Sequence, residues 1–417
     1  MKTLRDAWTY TVAALRWLPL AALTGVYGGL VGVAFHFAIA WAQGFRTEYR
    51  WPVLLLPVGA VAVDLIYRLL RLPPEMGVNR VIEAEYSEDK DVPVALAPAI
   101  FAGTALSHLC GASAGREGAA LQIGGSLGYS IGRVFRLPAE VRQTMILCGM
   151  AAVFSALFGT PVAAVMFVLE VISVGRFRYG EMVPCLTASL VAYLLNLSFG
   201  AERMRMTIGY LSGDNALIML RTAVLSVLCA LLSILFCVSV HGAEHLAKKK
   251  LKNDYVRAVA VGVLLLGMTL LSGGQTYNGA GMEFVEQTVH SGYAPWYAFP
   301  VKLLFTAVTL AAGYKGGEIV PTFFVGAAFG AAAGPLLGMD PGLAAAISMI
   351  AVFCGVVNCP IASLVMAIEI FGGRYITLFA IACTLSYVFS GYFGLYGSQH
   401  ILHSKVGKEL IDRNTLG

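Results

Sequence analysis

Apolar runs dominate the chain, and few polar stretches interrupt them. A first run covers residues 17–43 and a second 52–72. After a polar interval at 73–91, apolar stretches recur at about 93–114, 119–134, 143–158, 161–174, 182–199, 216–246, 255–272, 296–314, 320–338, 341–357, 360–371 and 373–393. Several fall short of the roughly 20 residues a helix needs to cross a bilayer, and several begin at Pro or Gly. Short, interrupted hydrophobic segments are what transporters use to build a midplane site. The pattern predicts an all-α polytopic membrane protein of tilted and broken helices.

Composition sharpens this. The chain is 58% hydrophobic and only 13% charged, about half the charged fraction of a soluble domain (~25%). The net charge of +5 needs no nucleic acid to explain it, because cytoplasmic loops of membrane proteins collect Lys and Arg. The densest basic cluster, Lys248, Lys249, Lys250, Lys252 and Arg257, is therefore expected in the cytoplasm, with Arg68, Arg71, Arg176, Arg178 and both termini on the same side. Residues 1–16 are too mixed for a cleavable signal peptide and are expected as an N-terminal cytoplasmic segment. Residues 401–417 are expected as a short C-terminal one, with no room for a soluble regulatory domain. All eight cysteines lie in or beside apolar runs and none forms a Cys-x-x-Cys pair. Neither a metal site, a disulfide framework nor a cofactor is expected.

An internal repeat divides the chain. Ala152-Val153-Phe154 with Pro161, Ala163 and Glu170 recurs as Ala351-Val352-Phe353 with Pro360, Ala362 and Glu369. Gly124, Gly128 and Gly132 recur as Gly326, Gly330 and Gly334. Two homologous transmembrane halves follow, 17–200 and 216–400, joined by a loop at 201–215. The repeat alone leaves open whether they are inverted.

The chemistry concentrates where the repeat is broken. An apolar segment enters Gly115-Arg116-Glu117-Gly118 and a Gly-rich helix leaves it. In register, the second half carries Gly317-Glu318-Ile319-Val320-Pro321, and a further break lies at Gly77. A helix starting at such a break points free N–H groups and its positive dipole end into the gap, which binds anions. Three such ends converging would bind an anion without a fixed cation, loosely enough for passage. Ionisable groups at membrane depth usually face a pathway, and the Glu117 carboxylate is placed to occupy the same anion site. Near the end of the second half, Tyr396 in Gly394-Leu395-Tyr396-Gly397-Ser398 can donate its O–H to an anion.

In order and spacing, Gly115–Gly118, Gly317–Pro321 and Leu395–Ser398 resemble the signature segments of the CLC family of chloride channels and anion/proton exchangers, over about residues 20–405. The resemblance implies an inverted repeat of about 18 tilted helices, and a homodimer with one anion pathway per subunit. Within the family the chain looks like the fluoride/proton antiporter branch, CLC-F. Gly77-Val78-Asn79-Arg80-Val81 stands where chloride members usually carry Gly-Ser-Gly-Ile-Pro, so the Ser hydroxyl is replaced by Val78 with Asn79 beside it. Gly313-Tyr314-Lys315-Gly316-Gly317-Glu318 resembles the Gly-Tyr-Lys-Gly-Gly-Glu of CLC-F, and Val171 stands where chloride exchangers carry an inner proton glutamate. The resemblance implies proton-coupled fluoride export across the bacterial inner membrane. It implies that Glu117 and Glu318 serve gating and proton transfer, and that Val78, Asn79, Gly115, Arg116, Gly118, Gly317, Ile319, Val320 and Tyr396 form the anion site. Fluoride, protons, membrane lipid and a second copy of the chain are the expected partners.

Two other readings compete. A chloride channel or chloride/proton exchanger would share the fold. Ser113 and Ser126 each sit in a Gly-x-Ser-x-Gly pattern with His108 nearby, the outline of an intramembrane serine hydrolase. A nucleophile elbow needs a strand before the Ser, and these serines lie in Gly-rich apolar helices. Helix packing is the expected role, and no enzyme activity is assigned. Glu170 and Glu369 recur at matched positions and are expected to cap backbone N–H groups. Lys315 is expected either to attract anions or to pair with Glu318.

Overall fold

The computed structural model describes residues 2–87, 89–201, 203–209, 215–407 and 409–416, with side chains from Trp17 onward. Residues 202 and 210–214 of the expected inter-repeat loop, and the side chains of the expected N-terminal segment, lie outside this description. Each half contributes eight α-helices. The first has α1 (Lys2–Tyr49), α2 (Leu56–Leu69), α3 (Val78–Tyr86), α4 (Leu96–Cys110), α5 (Glu117–Val134), α6 (Ala139–Phe158), α7 (Pro161–Val171) and α8 (Met182–Ser198). The second has α9 (Ala216–Lys250), α10 (Asp254–Leu271), α11 (Met282–Ser291), α12 (Ala298–Ala311), α13 (Ile319–Ala333), α14 (Pro341–Val357), α15 (Pro360–Phe371) and α16 (Ile376–Phe389). Six helices among the described residues are long and apolar enough to cross a membrane, and shorter apolar helices of 10–17 residues fill the interior. Among the described residues there are sixteen α-helices and three short 3-10 helices, in keeping with the expected framework of about eighteen; α1 runs unbroken to Tyr49, and no α-helix follows Phe389.

The repeat is visible in the packing. A Cβ at Gly124 would run into the Gly149–Met150 backbone, and one at Gly326 into Ser348–Met349. α5 therefore lies directly on α6, and α13 on α14, by the small-residue contact that membrane helices use. The paired ends of α7 and α15 exchange caps. Glu170, near the end of α7, accepts from Ile361 N–H and Ala362 N–H of α15 at 3.1 and 2.8 Å. Glu369, near the end of α15, accepts from Val162 N–H and Ala163 N–H of α7 at 3.1 and 2.8 Å. A contact in which i meets j and j meets i is what a twofold relation produces. The expected capping role of both glutamates is borne out.

Two elements went unexpected. α11 is polar, with Val285, Thr288 and Val289 turned inward at helical spacing. The chain then closes in a small sheet, β1 (Ser173–Val174), β2 (His400–His403) and β3 (Leu410–Asn414), in the order β1-β2-β3. β1 runs parallel to β2, and β2 antiparallel to β3.

Candidate functional site

The breaks at Gly115 and Gly317 meet backbone to backbone. Gly115 N–H donates to Gly317 O at 2.6 Å and Gly317 N–H to Gly115 O at 2.8 Å, an isolated antiparallel bridge between the halves. Only glycine permits this approach: a Cβ at Gly317 would lie 2.9 Å from Glu117 N. The bridge brings the start of α5 against the start of α13. The third start is close by, since a Cβ at Gly118 would lie 3.3 Å from Gly317 Cα and 3.4 Å from a Val78 methyl. The unpaired N–H groups of three helices are thus gathered at one depth.

Glu117 occupies that point. Its Oε2 accepts from Arg116 N–H at 3.0 Å and, across the halves, from Val320 N–H in the first turn of α13 at 3.2 Å. The side chain is fully buried, and Oε1 has no hydrogen-bond partner. A carboxylate oxygen here stands in the position of a small anion at a helix N-terminus. Ile319, which opens α13, is fully buried beside it. The Arg116 guanidinium lies over the Phe158 ring and reaches toward His36 Nδ1 and Leu157 O, while its backbone N–H donates to Glu117.

Beside the seat lies a vestibule of about 240 Å³ lined by Gly77, Val78, Asn79, Gln122, Lys315, Gly316, Glu318 and Tyr396. Its mouth carries Glu244, Lys248, Asp254 and Arg257, joined as Lys248–Glu244 and Arg257–Asp254 ion pairs at 2.7 and 2.9 Å. Tyr396 is buried, with its hydroxyl unpartnered among the described residues. Asn79 Oδ1 accepts from Ser398 N–H at 3.2 Å and ties the start of α3 to the Tyr396 turn. Glu318 is the residue before α13, yet its side chain makes no cap hydrogen bond to that helix. Lys315 lines the vestibule, reaches Pro74 O at 2.5 Å and lies over the Tyr67 ring, and it forms no ion pair with Glu318 among the described residues.

Gln122 was missed. It is buried, donates to Gly118 O at 3.2 Å, and leaves Oε1 unpartnered on the vestibule wall. Its signal was there: an amide one turn after Gly118 in an otherwise small and apolar stretch. A polar stripe on α12 was also missed. Thr309 accepts from Ser113 N–H, Thr306 pairs with Ser113 Oγ, and the buried Lys302 ammonium donates to Tyr277 O and Gly279 O. The Ser126 hydroxyl goes to Pro93 O, and His108 to Gln43 and Gly115 O. Neither serine meets His108, and both hydroxyls serve packing.

Residues 59–391 match the family described as voltage gated chloride channel. The chain belongs to the CLC family. CLC proteins are channels and transporters, and this one is an integral membrane protein. It is 36% identical over 396 residues, 94% of this chain and 87% of the relative, to a chloride/fluoride channel protein of Pseudomonas syringae pv. tomato. It is 26% identical over 382 residues, 84% of this chain and 79% of the relative, to an H(+)/Cl(-) exchange transporter of Yersinia pestis bv. Antiqua. Among solved structures it is similar to a CLC-type fluoride/proton antiporter, with TM-score 0.89 and 28% identity, covering 93% of this chain and 98% of that one. The CLC fold and its inverted repeat account for the exchanged caps and the bridged breaks.

Proposed function

We propose that the protein is a proton-coupled fluoride antiporter that exports fluoride across the bacterial inner membrane as a homodimer. The observation that carries the reading is the Glu117 carboxylate on Val320 N–H, in the position an anion would take. Two unit negative charges about 3 Å apart repel by about 5 kcal/mol at an effective dielectric of 20. A helix N-terminus returns at most about 2 kcal/mol. Fluoride and ionised Glu117 therefore exclude each other from this point. Protonation removes the charge, releases the side chain and opens the seat to fluoride. Each cycle thus exchanges a proton for an anion moving the other way.

Fluoride is small and strongly hydrated, so its water must be replaced by donors. Val320 N–H, Arg116 N–H and the Tyr396 hydroxyl supply them. Asn79 spends its oxygen on Ser398 and has only its Nδ2 group left to offer. Val78 in place of a hydroxyl donor, Val171 in place of an inner carboxylate, and the fluoride/proton antiporter among similar structures support fluoride over chloride. Glu318 provides the second carboxyl of the cycle. The vestibule mouth, with Lys248 and Arg257, faces the cytoplasm by the positive-inside rule.

A chloride/proton exchanger is the second reading, favoured by the similarity to H(+)/Cl(-) exchange transporters. Purified protein in liposomes loaded with fluoride or chloride, followed by ion-selective electrodes under a pH gradient, separates the two. Uphill fluoride efflux driven by protons, with little chloride flux, is expected. Proton-driven chloride flux of equal or greater rate would overturn the fluoride assignment.

A further inference from the structure

Tyr396 sits on a turn whose backbone is held both from the body of the protein and by chain that comes after it. From the body of the protein, Val356 O accepts from Leu395 N–H at 2.9 Å, and Asn358 Nδ2 donates to Phe393 O at 2.9 Å. Asn79 Oδ1 accepts from Ser398 N–H at 3.2 Å, and within the turn Gln399 N–H donates to Tyr396 O at 2.9 Å. Four further bonds come from residues 415–416. Leu416 N–H donates to Tyr392 O at 2.8 Å, and Leu416 O accepts from Gly394 N–H at 2.9 Å. Thr415 N–H donates to Gln399 O at 3.1 Å, and the Thr415 hydroxyl donates to Tyr396 O at 2.6 Å. Thr415 is 8% exposed although most of β3 beside it is open to solvent. Between β2 and β3, Lys405 turns back into the body. Its ammonium donates to Tyr387 O at 2.8 Å and Ser390 Oγ at 3.2 Å, and lies over the Tyr387 ring. The last stretch of chain is thereby fastened over the Tyr396 turn on both sides of the tyrosine.

The phenol itself is held differently. Its hydroxyl has no protein partner among the described residues, so nothing at the tip of the ring fixes where the donor points. Its place depends on the Cα–Cβ direction, and hence on the turn's backbone. A rotation of ten degrees at that backbone moves a phenol oxygen by roughly 1 Å, a displacement that costs on the order of a hundredfold in a site built on geometry.

We propose that Thr415 is a positioning residue for Tyr396: by holding the Tyr396 carbonyl it aims the phenol at the inner end of the anion path and so sets the affinity for fluoride. The proposal rests on the antiport reading above. It places a determinant of anion affinity just after β3 rather than among the helix starts.

The test is a double-mutant cycle in liposomes with the full chain. Thr415→Val keeps shape and strand propensity but loses the hydroxyl, and Thr415→Ser restores it. Thr415→Val is expected to raise the KM for fluoride roughly five- to tenfold with turnover little changed, and Thr415→Ser to return it to the wild-type value. In a Tyr396→Phe background, which has no hydroxyl to aim, Thr415→Val is expected to add nothing. A wild-type KM for Thr415→Val, or an equal shift in both backgrounds, would overturn the proposal. Should Thr415→Val fold poorly, Thr415→Ala is read by the same cycle. Wild-type protein that moves chloride but no fluoride sinks the antiport reading instead. The cycle run on chloride flux then still decides whether Thr415 acts through Tyr396.

Discussion

Glu170 and Glu369 each cap the helix that carries the other. Glu170 closes the start of α15 and Glu369 the start of α7, each with one carboxylate oxygen per free N–H. Hydrogen bonds to an ionised group are worth about 1.5–3 kcal/mol each, and here they cross between the halves. Glu170→Ala and Glu369→Ala are expected to destabilise the fold by about 2 kcal/mol or more each. The double variant should fall well below either single one. Proton-to-fluoride coupling of the surviving folded protein should be unchanged. Thermal unfolding monitored by size exclusion, beside flux per folded protein, checks this. Altered coupling with an unchanged unfolding temperature would assign these residues to transport instead.

The exclusion of fluoride by ionised Glu117 makes its variants diagnostic. Glu117→Gln cannot lose a proton, so exchange should lose its dependence on the pH gradient. Glu117→Ala goes further and leaves the seat on Val320 N–H unguarded, so anion leak should rise at every pH. Fluoride efflux against its gradient, driven by protons through Glu117→Gln, would show that some other group is the gate.

Much of this site was legible before any coordinates. Breaks at Gly115 and Gly317 follow from glycine next to charge inside apolar sequence, and the repeat makes each break support the other. Gln122 was not legible, because a single amide in a Gly-rich helix does not say which face it turns to the vestibule. Lys302 was hidden inside a stretch read as plain span. Its partners are carbonyls of Tyr277 and Gly279, which no local periodicity reveals. The strands β1 to β3 escaped for the same reason: β1 is two residues long and pairs with chain more than two hundred residues later. That Glu318 does not cap α13 is likewise visible only in the geometry, where Glu117 from the other half accepts from Val320 N–H.

Assembly is open to direct measurement. The dimer that the CLC resemblance implies would form through residues 161–198 and 360–392, where Val162, Leu194, Ile361 and Phe389 are 39%, 60%, 50% and 51% exposed. A lipid-facing surface would look similar, so the distinguishing result is mass. Light scattering at low detergent should give two chains per particle. Because all eight native cysteines are buried, a single cysteine introduced on this surface should crosslink to its copy. A monomer by both methods would count against the dimer.

Orientation has an equally simple readout. Lys248, Lys249 and Lys250 end α9 at the vestibule mouth, and the positive-inside rule puts them in the cytoplasm. With the native thiols buried, Lys250→Cys is expected to resist an impermeant maleimide in intact cells and to react after lysis. Labelling from outside would invert the assigned direction of transport.

Glu318 carries the last prediction. With Val171 at the inner position, a proton leaving Glu117 toward the cytoplasm needs another carrier, and Glu318 is the carboxyl on the vestibule wall beside the start of α13. A capping role would require the carboxylate to bond the free N–H groups of α13, and it makes no such bond. Glu318→Gln preserves shape and hydrogen bonding but removes titration, while Glu318→Ala removes both. If Glu318 carries the proton, both variants should remain folded and stable, and both should lose fluoride/proton coupling. If it only shapes the vestibule, Glu318→Gln should behave as wild type and Glu318→Ala alone should suffer. Measured side by side in liposomes, with unfolding temperatures for both, wild-type coupling by a folded Glu318→Gln would remove Glu318 from the proton path.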